Sequence, residues 1–265
     1  MTTSHDKTII MKFGGASLAE PEQFNTIADI ILEKKKEYKR IVTVVSAMGK
    51  TTDELIVLAK KVHPEPPQRE YDMLVSVGER ISMALLAMCI SKKGGDAVSF
   101  TGSQSGIITT AQHAEAKIVE IRPKRLLPAL DAVKIVIVAG FQGMSLDGEI
   151  TTLGRGGSDT TAVALGVCLN ADRVEFYKDV PGVFSHDPKQ HQNATLYSHM
   201  NYDDAIELTG KGAKVLHQRC LILAKKNAIA LKVLSFKPEY NQFGGTLIGN
   251  KETSKPTVKM YECDS

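Results

Sequence analysis

Short β-branched runs alternating with helix-patterned stretches constrain this chain more than any other feature. "TIIMKF" (Thr8–Phe13), "RIVTVVSA" (Arg40–Ala47), "KIVIVAG" (Lys134–Gly140), "DRVEFY" (Asp172–Tyr177) and "IALKVLSF" (Ile229–Phe236) are short and rich in Val and Ile. Such runs predict central strands of a largely parallel sheet. Helical apolar spacing covers Pro21–Tyr38, Asp53–Val62, Glu70–Lys92, Pro123–Ala132, Asp159–Leu169, Tyr202–Leu208 and Ala213–Lys226. Pro64, Pro66 and Pro67 break the second of these from the third. The alternation predicts an α/β fold, a three-layer αβα sandwich around a largely parallel central sheet.

The chain of 265 residues is long enough for one large domain or two intimate lobes. "GMSLDGEI" (Gly143–Ile150) is a turn-rich stretch suited to a hairpin and sets a soft boundary near residue 150. The expectation is an N-terminal lobe over residues 1–150 and a C-terminal lobe over residues 151–250. The two would share one sheet, with ligands between them. Residues 251–265 show no periodicity and read as a tail or a linker.

The net charge of +3 comes from basic residues spread along the chain. The densest run, Glu33–Arg40, mixes in acids and reads as a solvated helix end, so small anionic ligands are better supported than nucleic acid. No stretch reads as a signal peptide or a membrane span. Cys89, Cys168, Cys220 and Cys263 form no CxxC pair. The first three lie in apolar helical contexts, which predicts buried, reduced thiols in a cytoplasmic protein.

Neither GxxxxGK[ST] nor a strand–GxGxxG–helix unit occurs, which excludes a P-loop and the usual dinucleotide fold. Instead there are five glycine-containing loops, most of them directly after a predicted strand. They are "KFGGAS" (Lys12–Ser17), "SAMGKTTD" (Ser46–Asp53), "AGFQG" (Ala139–Gly143), "LGRGGSDTTA" (Leu153–Ala162) and "KDVPGVF" (Lys178–Phe184). Ligands of open α/β sheets sit beyond the carboxyl ends of the strands, so five such loops predict a binding crevice. In the first loop Gly14 and Gly15 let backbone N–H groups approach an anion that Lys12 can also reach.

In the fourth loop, Ser158 or Asp159 would cap the following helix, whose dipole adds positive potential. Arg155 offers a two-toothed grip for a carboxylate or a phosphate. Glu79, in "SVGERIS", either pairs with Arg80 or attracts an ammonium group. Lys214 and His217 open a helix, and His217 reads as a structural partner rather than a base. No His/Cys/Asp cluster has metal-site spacing.

In this order, "KFGGAS", "VSAMGKTTDEL", "VGERIS", "TTLGRGGSDTTA", "YKDVPGVFSHDP" and "GAKVLHQR…GTLI" resemble the amino acid kinase family, and within it the catalytic domain of the aspartate kinases. The resemblance runs from about Lys7 to Gly249. It implies transfer of the ATP γ-phosphoryl group to the side-chain carboxylate of L-aspartate, giving 4-phospho-L-aspartate and ADP, the first step of lysine, threonine and methionine biosynthesis. A carboxylate with a pKa of about 4 is already ionised at neutral pH, so no base is needed. Alignment and positive charge around a metaphosphate-like transition state are needed instead.

Matched position by position, the resemblance implies catalytic roles for Lys12, Asp159 and Lys214. Lys12 would neutralise the transferring group, Asp159 would organise the lysines, and Lys214 would reach the phosphates. Arg155 would hold the α-carboxylate of aspartate with Ser158 and Thr52, Glu79 would face its ammonium, and Phe141 would line the same site. Gly14, Gly15, Lys178, Asp179, Phe184 and Lys189 would meet the nucleotide. The implied cofactor is ATP with Mg²⁺ held mainly by the phosphates. The implied partners are L-aspartate and ATP, with no nucleic acid or membrane, and a homodimer is expected from the family alone.

Ala16, Lys178, Phe184, Lys189 and Gln218 depart from the residues usual in the family, respectively Thr, Thr, Tyr, Arg and Pro. Sibling kinases acting on glutamate, N-acetylglutamate, carbamate or UMP, and a catalytically silent relative, are the competing readings. Thr52, Glu79 and Arg155 together suit a free amino acid. Most aspartate kinases continue into paired ACT domains, which this sequence does not contain. A short unregulated enzyme and one part of a longer chain both fit.

Overall fold

The computed structural model describes residues 7–186, 193–213, 215–249 and 256–263. In chain order the first elements are β1 (Thr8–Phe13), α1 (Gln23–Lys34), β2 (Arg40–Val45), α2 (Thr51–Val62), α3 (Gln68–Val75) and α4 (Val77–Lys92). There follow β3 (Ala97–Phe100), β4 (Ile107–Thr109), β5 (Ile118–Ile121), α5 (Leu126–Asp131), β6 (Ile135–Ala139), β7 (Gln142–Ser145) and β8 (Ile150–Thr152). The remainder comprises α6 (Gly157–Cys168), β9 (Arg173–Lys178), β10 (His199–Met200), α7 (Tyr202–Gly210), α8 (Gln218–Lys226), β11 (Ala230–Ser235) and β12 (Thr246–Ile248).

All five strands expected from the β-branched runs form, and they lie side by side. The main sheet has eight strands in the order β10-β12-β11-β9-β1-β2-β6-β3. Its inner pairs, β11·β9, β9·β1, β1·β2, β2·β6 and β6·β3, are parallel, and β12 runs antiparallel to β11. Alternate residues of the continuous apolar runs face opposite sides. Ile9, Met11 and Phe13 pack with Ile27 and Ile31 of α1 and with Leu86 and Ile90 of α4. Ile10, Val42, Val44, Val136 and Val138 pack with residues of α6 and α8. This is the expected three-layer arrangement, with one apolar core on each face of the sheet.

A second sheet, β5-β4-β7-β8, has only four short strands. The hairpin expected at Gly143–Ile150 is its β7·β8 pair. The strands β3, β4 and β5 were not anticipated, because runs of three or four residues with polar members carry too little periodicity to stand out.

Three boundaries differ from expectation for local reasons. The predicted helix Glu70–Lys92 is two helices meeting at Ser76, whose carbonyl accepts the Gln142 side-chain N–H at 2.8 Å. The predicted helix Ala213–Lys226 begins only at Gln218, because His217 is extended and its Nδ1 faces the Arg219 backbone N–H at 3.4 Å. Helix α6 begins at Gly157, ahead of both expected caps. Gly156 holds the cap position in a left-handed conformation, and Ser158 and Asp159 lie inside the first turn.

Contrary to the sequence reading, Gln68–Lys92 is long and apolar enough by composition to cross a membrane. It also carries Asp72 and Glu79, both buried against the rest of the fold. The four cysteines are free; Cys168 and Cys220 are buried as expected, Cys89 is half-buried and Cys263 is exposed. Pro256–Cys263 is docked rather than loose, with Tyr261 only 8% exposed.

Candidate active site

The parallel strands β1, β2, β6 and β9 all end on one edge of the sheet, and the glycine-containing loops gather there. Lys12, the penultimate residue of β1, is registered between Val44 of β2 and Phe176 of β9. It is 4% exposed. A lysine so buried requires a partner, and Asp159 in the first turn of α6 supplies it. Lys12 Nζ lies 2.7 Å from Asp159 Oδ1, and Lys178 Nζ at the end of β9 lies 3.5 Å from Asp159 Oδ2.

The electrostatics of this triad follow from its geometry. Asp159 is as buried as Lys12, yet the two ammonium groups hold its carboxyl down at about 2. Burial lowers the Lys12 pKa below that of an ordinary lysine, and Asp159 works against that shift. Asp159 thus places two cations at the strand ends, close to the N-terminus of α6, where the helix dipole adds positive potential. This concentrates positive charge where an anion can enter.

Gly14 and Gly15 follow Lys12 directly. A Cβ at Gly15 would lie 3.0 Å from the Ala47 carbonyl and 3.1 Å from that of Gly49. The Gly15 carbonyl accepts the Gly49 N–H at 3.1 Å. The first two loops are therefore in contact, and glycine permits that approach.

Glu79, in the first turn of α4, is 3% exposed. It does not pair with Arg80, whose guanidinium turns to Gln142 Oε1 and Ser76 Oγ at 3.4 and 3.5 Å. One Glu79 oxygen accepts the Ala47 N–H at 3.1 Å. The other, Oε2, is buried with no hydrogen-bond partner among the described residues. Burial raises its pKa to about 7, against the opposing pull of two backbone N–H donors and the Lys12 charge. A buried carboxylate oxygen normally accepts a hydrogen bond, and an ammonium group is a donor that suits it.

Arg155 is exposed and stands between two glycines in the left-handed region, Gly154 (φ 70°) and Gly156 (φ 74°). A Cβ at Gly156 would fall 2.1 Å from the His217 ring, so His217 is the structural partner of this loop. Ser158 and Phe141 flank the same turn. The Leu153 N–H donates to the Phe141 carbonyl at 2.9 Å, and the Phe141 N–H donates to Thr161 Oγ1 at 3.2 Å. Phe141 has φ 69°, an uncommon conformation for a bulky residue that tends to mark functional sites.

Thr52 lies half-buried in the first turn of α2. Asp179 is exposed just beyond β9, and Phe184 bridges to Leu196 further along that loop. Lys189 and Lys214 lie outside the described residues.

Sequence reasoning missed Asp72. It is 0% exposed and accepts hydrogen bonds from His113 Nδ1 at 2.7 Å, the Ala114 N–H at 3.1 Å, the Thr152 N–H at 3.1 Å and Thr152 Oγ1 at 2.5 Å. It ties α3 to the strand that leads into the glycine-rich loop. Asp72, Val75, Glu79, Ser82, Leu86 and Ile90 fall on one buried face of the α3–α4 pair, so helical spacing was the signal that could have found it.

Comparison with known proteins gives one consistent result. The amino acid kinase family matches residues 7–235. Aspartokinase from Mycolicibacterium smegmatis is 48% identical over 241 residues, which is 91% of this chain and 56% of that protein. Aspartokinase 2 from Bacillus subtilis is 49% identical over 227 residues, 86% of this chain and 56% of that protein. The chain thus spans about half the length of the curated relatives it matches.

Among solved structures, an aspartate kinase from Synechocystis superposes with a TM-score of 0.82 at 39% identity, covering 94% of this chain and 40% of that one. Escherichia coli aspartokinase III, solved with aspartate and ADP, gives a TM-score of 0.83 at 28% identity, covering 96% and 67%.

Proposed function

The chain belongs to the amino acid kinase family, and on that premise we propose that it transfers the γ-phosphoryl group of ATP to the β-carboxylate of L-aspartate. The observation that carries this reading is a pair of opposite poles at one sheet edge. Lys12 and Lys178, held by Asp159, form the positive pole. The buried Glu79, with one oxygen lacking a hydrogen-bond partner among the described residues, forms the negative one.

The positive pole suits a phosphoryl group in flight. Its transition state spreads negative charge over the equatorial oxygens, so fixed cations stabilise it without reorganisation. Lys12 neutralises that charge, and the backbone N–H groups of Gly14 and Gly15 add donors beside it. The acceptor carboxylate is ionised at neutral pH, so the site needs no general base.

The negative pole suits the α-ammonium of an amino acid. Glu79 Oε2 would receive it, while Arg155 grips the α-carboxylate and Ser158, Thr52 and Phe141 complete the pocket. Lys178, Asp179 and Phe184 would flank the nucleotide, joined by Lys189 and Lys214.

No group of three His, Cys, Asp or Glu side chains able to hold a metal occurs among the described residues, and Asp159 is already engaged by two lysines. These residues fit Mg²⁺ that arrives on the nucleotide phosphates, where it supplies further charge neutralisation. The names of the similar proteins, and the aspartate and ADP in the Escherichia coli structure, support the same substrates. The reaction would place the chain at the first step of lysine, threonine and methionine biosynthesis, in the cytoplasm.

A coupled ADP-release assay with L-aspartate, L-glutamate, N-acetylglutamate and UMP tests the proposal. Turnover is expected with L-aspartate, and turnover with another acceptor alone would overturn it.

A further inference from the structure

Leu153 opens the glycine-rich loop, and its carbonyl is taken by the guanidinium of Arg219, in the first turn of α8. The same guanidinium donates to the Ala116 carbonyl at 3.2 Å and, through Nε, to Glu262 Oε1 at 2.8 Å. Glu262 comes from the far end of the chain. Its backbone N–H donates to the Ile118 carbonyl at 3.1 Å, and its second carboxylate oxygen accepts the Ile118 N–H at 2.8 Å. The segment thereby pairs along β5, an edge strand of the small sheet.

Three further contacts seat Pro256–Cys263. Asn227 exchanges two side-chain hydrogen bonds with the Met260 backbone, at 2.8 and 2.9 Å. Lys259 Nζ donates to the Cys168 carbonyl at 2.6 Å, and Tyr261 is buried in the core that includes α6 and α8. The position of Glu262 is therefore fixed by contacts that do not involve Arg219.

The loop that Arg219 touches has little rigidity of its own. Two left-handed glycines bracket Arg155, and glycine has much backbone freedom to lose on ordering. What orders the loop is packed around it. His217 sits over Gly156, Asp72 holds Thr152, and Arg219 holds the Leu153 carbonyl. Of these anchors, Arg219 alone is itself held by a residue from the C-terminal segment. Charge-assisted hydrogen bonds of this kind are the strong ones, and Glu262 is 9% exposed at its side chain.

We propose that Arg219 is a positioning residue, and that Glu262, by holding it, lets the segment Pro256–Cys263 set the geometry of the loop presenting Arg155 to the amino-acid substrate. The inference rests on the reading that Arg155 grips the acceptor. Loosening Glu262 frees the guanidinium, which releases the Leu153 carbonyl and lets the loop sample other conformations. Substrate binding weakens, while the nucleotide side, built on β1 and β9, is left alone.

The test combines kinetics with hydrogen exchange on the 265-residue chain. Glu262→Ala is expected to raise KM for L-aspartate about 5- to 20-fold, with kcat and KM for ATP within about twofold. Glu262→Gln, which keeps an acceptor for the Ile118 N–H and a neutral one for Arg219, is expected to recover part of that loss. Arg219→Ala should have at least the effect of Glu262→Ala, and the double variant should add no more than about twofold, since both remove the same contact. Effects that multiply, or a KM unchanged in Glu262→Ala, would overturn the proposal.

Hydrogen exchange needs no substrate. The amides of residues 153–158 should exchange at least about fivefold faster in Glu262→Ala, with those of β1 and β9 unchanged. Equal acceleration in both places means a purely structural role, and no acceleration means no coupling; either would overturn it. Faster exchange confined to the loop in a chain inactive on aspartate would support the clasp while refuting the proposed substrate.

Discussion

Lys12 and Asp159, separated by most of the chain, meet as a buried ion pair 2.7 Å apart at the junction of β1 and α6. Neither side chain could be buried alone, so each fixes the other's place. The pair couples the fold to the proposed chemistry, because the contact that satisfies the lysine also aims it beyond the strand ends.

Lys12→Ala should lower kcat by at least about a hundredfold, since a fixed cation at the transferring group is lost. Steady-state kinetics with saturating ATP and aspartate measures it. Near-normal turnover would remove Lys12 from the chemistry.

Asp159→Asn should destabilise the fold by roughly 3 kcal/mol at neutral pH, because two ammonium groups lose their counter-charge. The Asp159 carboxyl sits at about 2 in the folded state, below its ordinary 3.8. Its stabilisation is therefore complete above the ordinary value and is lost as pH falls toward 2. Urea unfolding should show a gap between wild type and variant that narrows over that acid range.

Glu79 behaves in the opposite sense. Its folded-state pKa of about 7 exceeds the ordinary 4.5, so the folded chain holds a proton the unfolded chain has released. Stability then declines as pH rises through that window. Glu79→Gln should be more stable than wild type at about pH 8, by up to about 3 kcal/mol, while KM for aspartate rises at least about tenfold. In the wild type, kcat/KM for aspartate should fall as pH drops below about 7, where protonation removes the charge that meets the ammonium. A flat kcat/KM profile would contradict the assignment.

Gly156→Ala should lower the melting temperature and raise KM for aspartate together. The left-handed backbone alone disfavours alanine by about 1 kcal/mol or more, and the methyl group would also displace the His217 ring from 2.1 Å away. Thermal unfolding and kinetics on one preparation would test this. Arg155→Ala, at an exposed site, should leave the melting temperature within about 2 °C and raise KM for aspartate at least about tenfold.

The main sheet was legible because five continuous Val- and Ile-rich runs have no amphipathic ambiguity once the helices between them are recognised. The small sheet was not, since "IIT" and "IVEI" gain their strand character from pairing partners distant in sequence, as does "AVSF" at the edge of the main sheet. At the site, the lysine at a strand end and the arginine between glycines were readable as demands for partners. For the lysine, the family resemblance named Asp159 as the organising group, and the structure pairs the two; the residue pattern alone did not name it. Lys178 was expected beside the nucleotide, and the structure brings it to Asp159, a contact that depends on β9 lying next to β1. Asp72 was overlooked although helical spacing puts it on the buried face of α3 and α4, because its partners His113, Ala114 and Thr152 are distant in sequence. Arg219 was overlooked because it holds backbone carbonyls, which no residue spacing reveals.

The most direct measurement is chemical capture of the product. Incubation with L-aspartate, ATP, Mg²⁺ and hydroxylamine should yield β-aspartyl hydroxamate together with ADP, because an acyl phosphate is the species hydroxylamine intercepts. The yield should require both substrates and should fall at least about a hundredfold in Lys12→Ala. ADP release without hydroxamate, or no aspartate-dependent reaction, would contradict phosphoryl transfer to the aspartate carboxylate at this site.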